Sequence, residues 1–151
     1  AGSVLMLCDA ATTPGTTAAR YVAVAASVAE GGTAPEAVTS ATALAGLRFF
    51  KLSDCAYQSG TGNQGQNAAA DADTLFLEFD GSGNASSNGS DINYSAAQFS
   101  AMLASGPSAA GAQFAAWRFT IDGQPRTVIV ERGRYDAADA ASGFVRLWLP
   151  Q

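Results

Sequence analysis

The chain has 151 residues, only 14% of them charged, and a formal net charge of −5. A chain of this length can bury a core of its own, and we expect a single domain spanning residues 1–151. Its basic residues are seven arginines and one lysine, Lys51. Because phosphate binding needs clustered basic side chains, this composition argues against nucleic acid as a partner.

The sequence contains no histidine. This absence removes Ser-His and Cys-His dyads, the usual zinc ligand sets and the commonest acid–base residue. No glycine-rich phosphate-binding motif precedes a predicted helix. Paired carboxylates could serve a glycosidase, but the pattern brings no particular pair together. We therefore predict no catalytic residue, no cofactor and no enzymatic activity.

The sequence does not decide whether the protein is exported. No apolar run approaches the roughly 20 residues of a membrane-spanning helix. The small residue Ala1 fits removal of either an initiator methionine or a signal peptide. A disulfide between Cys8 and Cys55 would stabilise the fold by roughly 3 to 4 kcal/mol on the chain-entropy model. The alternative, two buried free thiols, is the one we favour, because each cysteine ends an apolar run.

The N-terminal half predicts three strands and one helix. Residues 4–8, 20–28 and 47–57 have strand character, and apolar side chains point both ways from 47–57, as in a strand covered on both sides. Thr33-Ala-Pro-Glu36 has the form of a capping box and predicts a helix ending near Gly46. Residues 58–73 predict a long polar loop.

The next segment predicts a strand, a polar loop and a second helix. The strand covers residues 74–79 and the loop covers 80–91. Ser95-Ala-Ala-Gln98 forms a second capping box. One face of the helix that follows is apolar, with Ala96, Phe99, Met102 and Leu103.

The loop after residue 79 resembles the spacing of a calcium-binding loop. Asp80, Ser82, Asn84 and Asp91 stand where ligands would lie in an EF-hand, so we name these four as a candidate calcium site. The pattern lacks the central glycine and the final glutamate. A plain hairpin loop is the favoured alternative, because turns need the same residue types.

The clearest structural signal is a pair of apolar runs at residues 117–121 and 126–130. Both are rich in β-branched and aromatic residues, and Asp-Gly-Gln-Pro separates them. Gly123 can supply the positive φ angle of a tight turn. The pattern predicts a β-hairpin over residues 117–130.

The register of this hairpin depends on which two residues form its loop. A loop of residues 123–124 places Phe119 opposite Val128, whereas a loop of residues 122–123 places it opposite Arg126. We choose the first because it makes one face wholly apolar. It predicts a core-facing set: Trp117, Phe119, Ile121, Val128 and Val130. It also predicts an outward-facing set: Arg118, Thr120, Thr127 and Glu131.

A further strand is predicted over residues 144–149. One of its faces is aliphatic, and the other carries Phe144, Arg146 and Trp148. An arginine between two aromatic residues has two explanations: packing inside the domain, with Arg146 stacked on Trp148, or contact with another subunit. We hold both alternatives open and name these three residues as interface candidates.

The predicted fold class is α+β and mostly β, with a mainly antiparallel sheet and two short helices. We interpret the chain as a non-enzymatic structural subunit of a larger assembly, specifically a phage virion component such as a capsid decoration or tail-type protein. Few charges, one lysine and long polar loops support this interpretation. Its partners would be subunits of the same assembly, in a homo-oligomer built in the cytoplasm.

Two alternatives place the protein outside the cytoplasm. The runs TLFLEFDGSGNASSNG and WRFTIDGQPRTVIVERGRY resemble the strand-rich C-terminal half of minor pseudopilins. That resemblance implies an exported pilin-like headgroup, extracellular or periplasmic, although the apolar N-terminal helix of that family is absent from the chain. The other alternative is a secreted carboxylate-based hydrolase or carbohydrate-binding module that uses exposed aromatic residues.

Overall fold

The computed structural model describes residues 3–8, 22–27, 34–58, 62–66, 75–89, 92–105, 113–121, 123–133 and 143–151. Most of these residues lie in β-strands, which confirms the mostly-β prediction. The strands are β1 Ser3–Cys8, β2 Val22–Ser27, β3 Glu36–Val38, β4 Arg48–Gln58, β5 Gly62–Gln66, β6 Phe76–Phe79, β7 Ala85–Ser87, β8 Asn93–Tyr94, β9 Gln113–Ile121, β10 Gln124–Gly133 and β11 Gly143–Pro150. The helical elements are a 3₁₀ helix, Ala41–Leu44, and an α-helix, α1, Ala96–Ser105.

Nine of the strands form one sheet in the order β3-β9-β10-β11-β4-β6-β7-β8, with β5 also paired to β4. Each pairing between described strands is antiparallel, as the sequence predicts. β4 pairs with three strands. β11 pairs along one of its edges, and β6 and β5 pair along the other. β1 and β2 form a separate pair.

Two segments predicted as loops contain short strands. β5 lies within 58–73 and pairs with β4, and β7 lies within 80–91 and pairs with β6. Neither strand has an apolar alternation, so the sequence carries no sign of it. An existing strand edge offers hydrogen bonds to any backbone, and here that pairing outweighs weak local propensity.

The first predicted helix is wrong. Glu36 to Val38 form β3 and pair with β9, and only the single 3₁₀ turn Ala41–Leu44 follows. Thr33, the predicted capping residue, lies outside the described residues. Pairing with β9 satisfies the backbone of these residues, and this tertiary contact outweighs the local capping signal. The apolar spacing still marks buried positions, because Val38 and Leu44 lie in the core.

The second predicted helix is confirmed as α1, and its capping box forms as the sequence indicates. The backbone N–H of Ser95 donates to Gln98 Oε1 at 2.9 Å, and the N–H of Gln98 donates to Ser95 Oγ at 3.3 Å. This reciprocal pair satisfies two N–H groups that a helix start leaves free. In the described part of the chain, no helix is long and apolar enough to span a membrane.

The predicted register of the β9–β10 hairpin is wrong. Phe119 lies opposite Arg126 and Trp117 opposite Val128, which is the register of a loop formed by residues 122 and 123. Gly123 has φ +75°, as a tight turn of this kind requires. The turn chemistry therefore outweighs the matching of apolar pairs that favoured the other register.

The predicted faces of the hairpin are also wrong, because buried residues lie on both of its faces. Phe119 and Val128 are buried as expected, but Trp117 is exposed. Thr127 and Glu131, predicted to face outward, are buried. The opposite face of the hairpin supplies Phe114, Ala116 and Ile129 to the core.

The core lies between α1 and this second face of the sheet, and a chain of aromatic rings runs through it. Phe99 of α1 packs edge-to-face on Phe79, with centroids 5.0 Å apart, and lies 4.4 Å from the ring of Phe114. Phe79 in turn packs edge-to-face on Phe49, at 5.9 Å. These contacts join α1 to β4, β6 and β9 across the sheet.

Candidate interaction surface

The turn after β6 is held by the carboxylate of Asp80, the first candidate calcium ligand. Its Oδ1 accepts the backbone N–H groups of Ser82 and Asn84 at 2.8 and 2.9 Å, and its Oδ2 accepts Asn84 Nδ2 at 2.8 Å. The hydrogen bond from the Asn84 side chain leads the causes that lower the pKa of Asp80. Because the folded-state pKa is lowered, the ionised group favours the turn above its ordinary pKa, and that contribution is lost as the pH falls through the lowered value.

The calcium prediction gains no support from this geometry. Both carboxylate oxygens of Asp80 already accept hydrogen bonds, and Asp91 lies outside the described residues. The described ranges contain no group of three His, Cys, Asp or Glu placed to hold a metal. What the structure shows at residues 80–84 is a hydrogen-bonded turn.

This turn also fastens α1 to the sheet. Asn84 Oδ1 accepts the N–H of Ala96 at the start of α1, at 2.9 Å. Ser100 of α1 donates its hydroxyl to Ala96 O at 2.7 Å and accepts the N–H of Ala41 at 2.9 Å. The helix start, the 3₁₀ helix and the turn therefore form one hydrogen-bonded junction.

Gly83 is required at this junction for two separable reasons. Its φ is +87°, and a Cβ there would lie 2.8 Å from the backbone oxygen of Ala41. Gly123 has a similar φ, +75°, with nothing within 4 Å of its Cβ position.

We expect Gly123→Ala to lower the free energy of unfolding by about 1 to 2 kcal/mol, from φ alone, and Gly83→Ala to lower it further. Urea unfolding of both variants measures the difference, and equal losses would contradict the close contact.

A buried carboxylate lies where β10 and β11 pair. Glu131 is directly opposite Arg146, and each side chain is 2% exposed. Glu131 Oε2 accepts Trp148 Nε1 at 3.0 Å and lies 3.5 Å from Arg146 Nη1. The Arg146 guanidinium lies over the ring of Phe144, 4.6 Å from its centroid. Buried charges are retained in proteins where they are paired in this way.

The three interface candidates belong to this cluster. Arg146 and Trp148 are buried within one chain, and Phe144 is half-buried. Burial within one chain agrees with the internal-packing alternative, but that alternative predicts Arg146 stacked on Trp148, and the ring under its guanidinium is that of Phe144. The subunit-contact alternative concerns a second molecule, so it stays a prediction.

A different face of the sheet exposes apolar side chains to solvent. Phe50 of β4 lies directly opposite Phe76 of β6, and Arg48 lies opposite Glu78 on the same face. We call these four residues the Phe50 surface. Phe50 is 37% exposed, and the Arg48 guanidinium lies 3.9 Å from the centroid of the Phe76 ring. Arg48 Nε also forms an exposed ion pair with Glu78 Oε1 at 2.7 Å.

Two further apolar side chains on or beside these strands are exposed, although alternation places Leu75 on the other face from Phe76. Leu52 of β4 is 46% exposed, and Leu75, just before β6, is 49% exposed. Phe49, between Arg48 and Phe50, is fully buried in the core. β4 is therefore covered on one side only at this end. The prediction that this strand is covered on both sides is wrong at this end, because Phe50 is exposed while Phe49 is buried.

The ends of the main sheet are short. β3 at one end has three residues, and β8 at the other has two. Short terminal strands limit the addition of further strands to a sheet. Association through these two ends of the main sheet is therefore disfavoured, and the exposed sheet face is a stronger candidate for a contact than either end.

Comparison with protein-family models, curated proteins and solved structures finds no match to this chain. The function must therefore be argued from the chain's own surfaces.

Sequence reasoning missed both Glu131 and the Phe50 surface. Alternation predicts that Glu131 faces outward because it assumes that one face of the hairpin is buried, whereas both faces hold buried residues. The arginine and aromatic residues of the strand 144–149 were the available signal. For the Phe50 surface the signal was present: apolar side chains on both faces of one strand. Which of the two faces the chain itself covers depends on tertiary packing.

Proposed function

We propose that the protein is a non-enzymatic structural subunit that associates with copies of itself through the Phe50 surface. The observation that carries this proposal is the composition of β4, whose apolar side chains point both ways while one of its faces lies open at Phe50 and Leu52. Exposed aromatic and aliphatic side chains on neighbouring strands are typical of contact sites. A partner molecule would supply the missing cover.

A second copy is the partner that fits the charges. The Phe50 surface carries one positive and one negative side chain, Arg48 and Glu78, side by side. A two-fold axis passing between them would place Arg48 of each copy opposite Glu78 of the other, so that opposite charges meet across the contact. A partner whose surface carried only one sign of charge would repel either Arg48 or Glu78.

The setting that we propose is a phage virion, with assembly in the cytoplasm. Support comes from composition: 14% charged residues, one lysine and no histidine. A capsid decoration or tail-type protein needs a stable fold and a repeated contact, and no catalytic group. The proposal of homo-oligomeric assembly does not depend on this setting.

Replacing Phe50 with aspartate should prevent the association, because a charge would be buried in the apolar centre of the contact. We expect the dissociation constant to rise by about 100-fold, the size of a central hot-spot loss. Light scattering coupled to size-exclusion chromatography measures the mass of each species.

Trp117→Asp is the matched control, because Trp117 is also 37% exposed but lies on β9, away from β4 and β6. The control should keep the mass of the native protein. Equal dissociation of both variants, or of neither, would contradict a contact centred on Phe50. Near-ultraviolet circular dichroism checks that each variant stays folded.

A further inference from the structure

We propose that Asn88 is a site of spontaneous deamidation that the fold itself promotes. Asn88 and Gly89 lie exposed in the turn between β7 and β8. They form the single Asn-Gly pair in the sequence. A glycine after asparagine leaves its backbone nitrogen unhindered, because no Cβ blocks the approach to the side-chain carbonyl.

The side-chain carbonyl of Asn88 is polarised by two backbone donors. Its Oδ1 accepts the N–H of Leu75 at 2.8 Å and the N–H of Phe76 at 2.7 Å. Two N–H groups at this distance are what an oxyanion hole provides when a carbonyl is attacked and its oxygen gains negative charge. The start of β6 therefore presents two donors to the oxygen that gains negative charge in the reaction.

The reaction needs only water as a co-reactant. The backbone nitrogen of Gly89 attacks Cγ of Asn88 and loses its proton, so that a new C–N bond closes a five-membered ring. The bond between Cγ and the side-chain nitrogen then breaks, and ammonia leaves with that proton. Water opens the resulting imide at either carbonyl and gives aspartate or isoaspartate. No oxidant or reductant takes part.

The other asparagines in the described turns lack this combination. Asn84 precedes Ala85, its Nδ2 donates to Asp80, and its Oδ1 accepts one N–H, that of Ala96. Asn93 lies in β8 and precedes Tyr94. Modification should therefore be selective for Asn88.

The aspartate product keeps the contact and adds a charge. A carboxylate accepts the same two N–H groups more strongly than an amide does, so β6 should retain its start. The new negative charge lies beside the backbone of Phe76, at the margin of the Phe50 surface. That the charge weakens association is a consequence that rests on the proposed function; the modification itself does not.

The test follows the mass of the peptide containing Asn88 during incubation of the native protein at neutral pH. Deamidation replaces an NH₂ group by OH, and the rate is compared with that of the chain unfolded in guanidinium chloride. We expect the folded protein to react about tenfold faster, the effect of one net hydrogen bond to the oxyanion. A folded rate equal to or below the unfolded rate would overturn the proposal.

A pair of variants isolates the donor group. Leu75→Pro removes the N–H of residue 75, and Leu75→Ala keeps it; both remove a side chain that is largely exposed. Proline is tolerated at the entrance of a strand. We expect the proline variant to deamidate about tenfold more slowly than the alanine variant, and equal rates would overturn the role of this N–H. Sedimentation of the Asn88→Asp variant tests separately whether the charge alters association.

Discussion

Replacing Glu131 with alanine should lower the free energy of unfolding by about 3 to 5 kcal/mol, the usual loss when one member of a buried ion pair is removed. The carboxylate accepts Trp148 Nε1 and lies opposite Arg146, in a region closed to water. Its loss leaves a guanidinium and an indole N–H inside the protein without that acceptor. Urea unfolding followed by tryptophan fluorescence measures the effect.

Glu78→Ala is the control for this prediction. Glu78 also pairs with an arginine, Arg48, at 2.7 Å, but both side chains are exposed. Exposed pairs contribute roughly 0 to 1 kcal/mol because water competes for both charges. Similar losses in the two variants would show that the Glu131 cluster is not the buried charge centre that the geometry indicates.

The second large effect is expected at Phe99, the point where α1 packs on the sheet. Phe99→Ala should cost about 3 to 5 kcal/mol of stability, from lost burial and from the cavity left between Phe79 and Phe114. Phe50→Ala serves as the comparison, because Phe50 is partly exposed and its loss leaves no enclosed cavity. Measured at a concentration low enough to keep the chain monomeric, a Phe50→Ala loss equal to that of Phe99→Ala would contradict this description of the core.

Sequence reasoning succeeds here where structure is determined locally. α1 is an example: Ser95 and Gln98 cap each other through three residues of chain, and no distant partner is needed. The strands 47–57 and 144–149 are also found, because aromatic and aliphatic residues concentrate in them.

The failure to predict β3 has its cause in competition from a distant partner, which no window of local sequence contains. Glu36–Val38 pair with β9, a strand far along the chain, and this pairing outweighs the helix-capping signal at Thr33. The hairpin register has a local cause instead. Both registers keep the same residues on each face, and the turn at Gly123 decides between them.

The Phe50 surface could be predicted from the sequence only in part. The sequence shows apolar side chains on both faces of β4, but it does not show which face the rest of the chain covers. Phe49 is buried in the core against Phe79, whereas Phe50 and Leu52 stay exposed. Glu131 was missed because burial of a carboxylate is rare unless a partner such as Arg146 lies across the strand.

The most direct test of self-association through the Phe50 surface is sedimentation equilibrium of the native protein over a wide range of concentrations. We expect masses that are whole multiples of the 15.3 kDa chain, falling towards one chain on dilution. The Phe50→Asp variant should sediment as a single chain throughout. A native protein that stays at 15.3 kDa at each concentration would contradict the account.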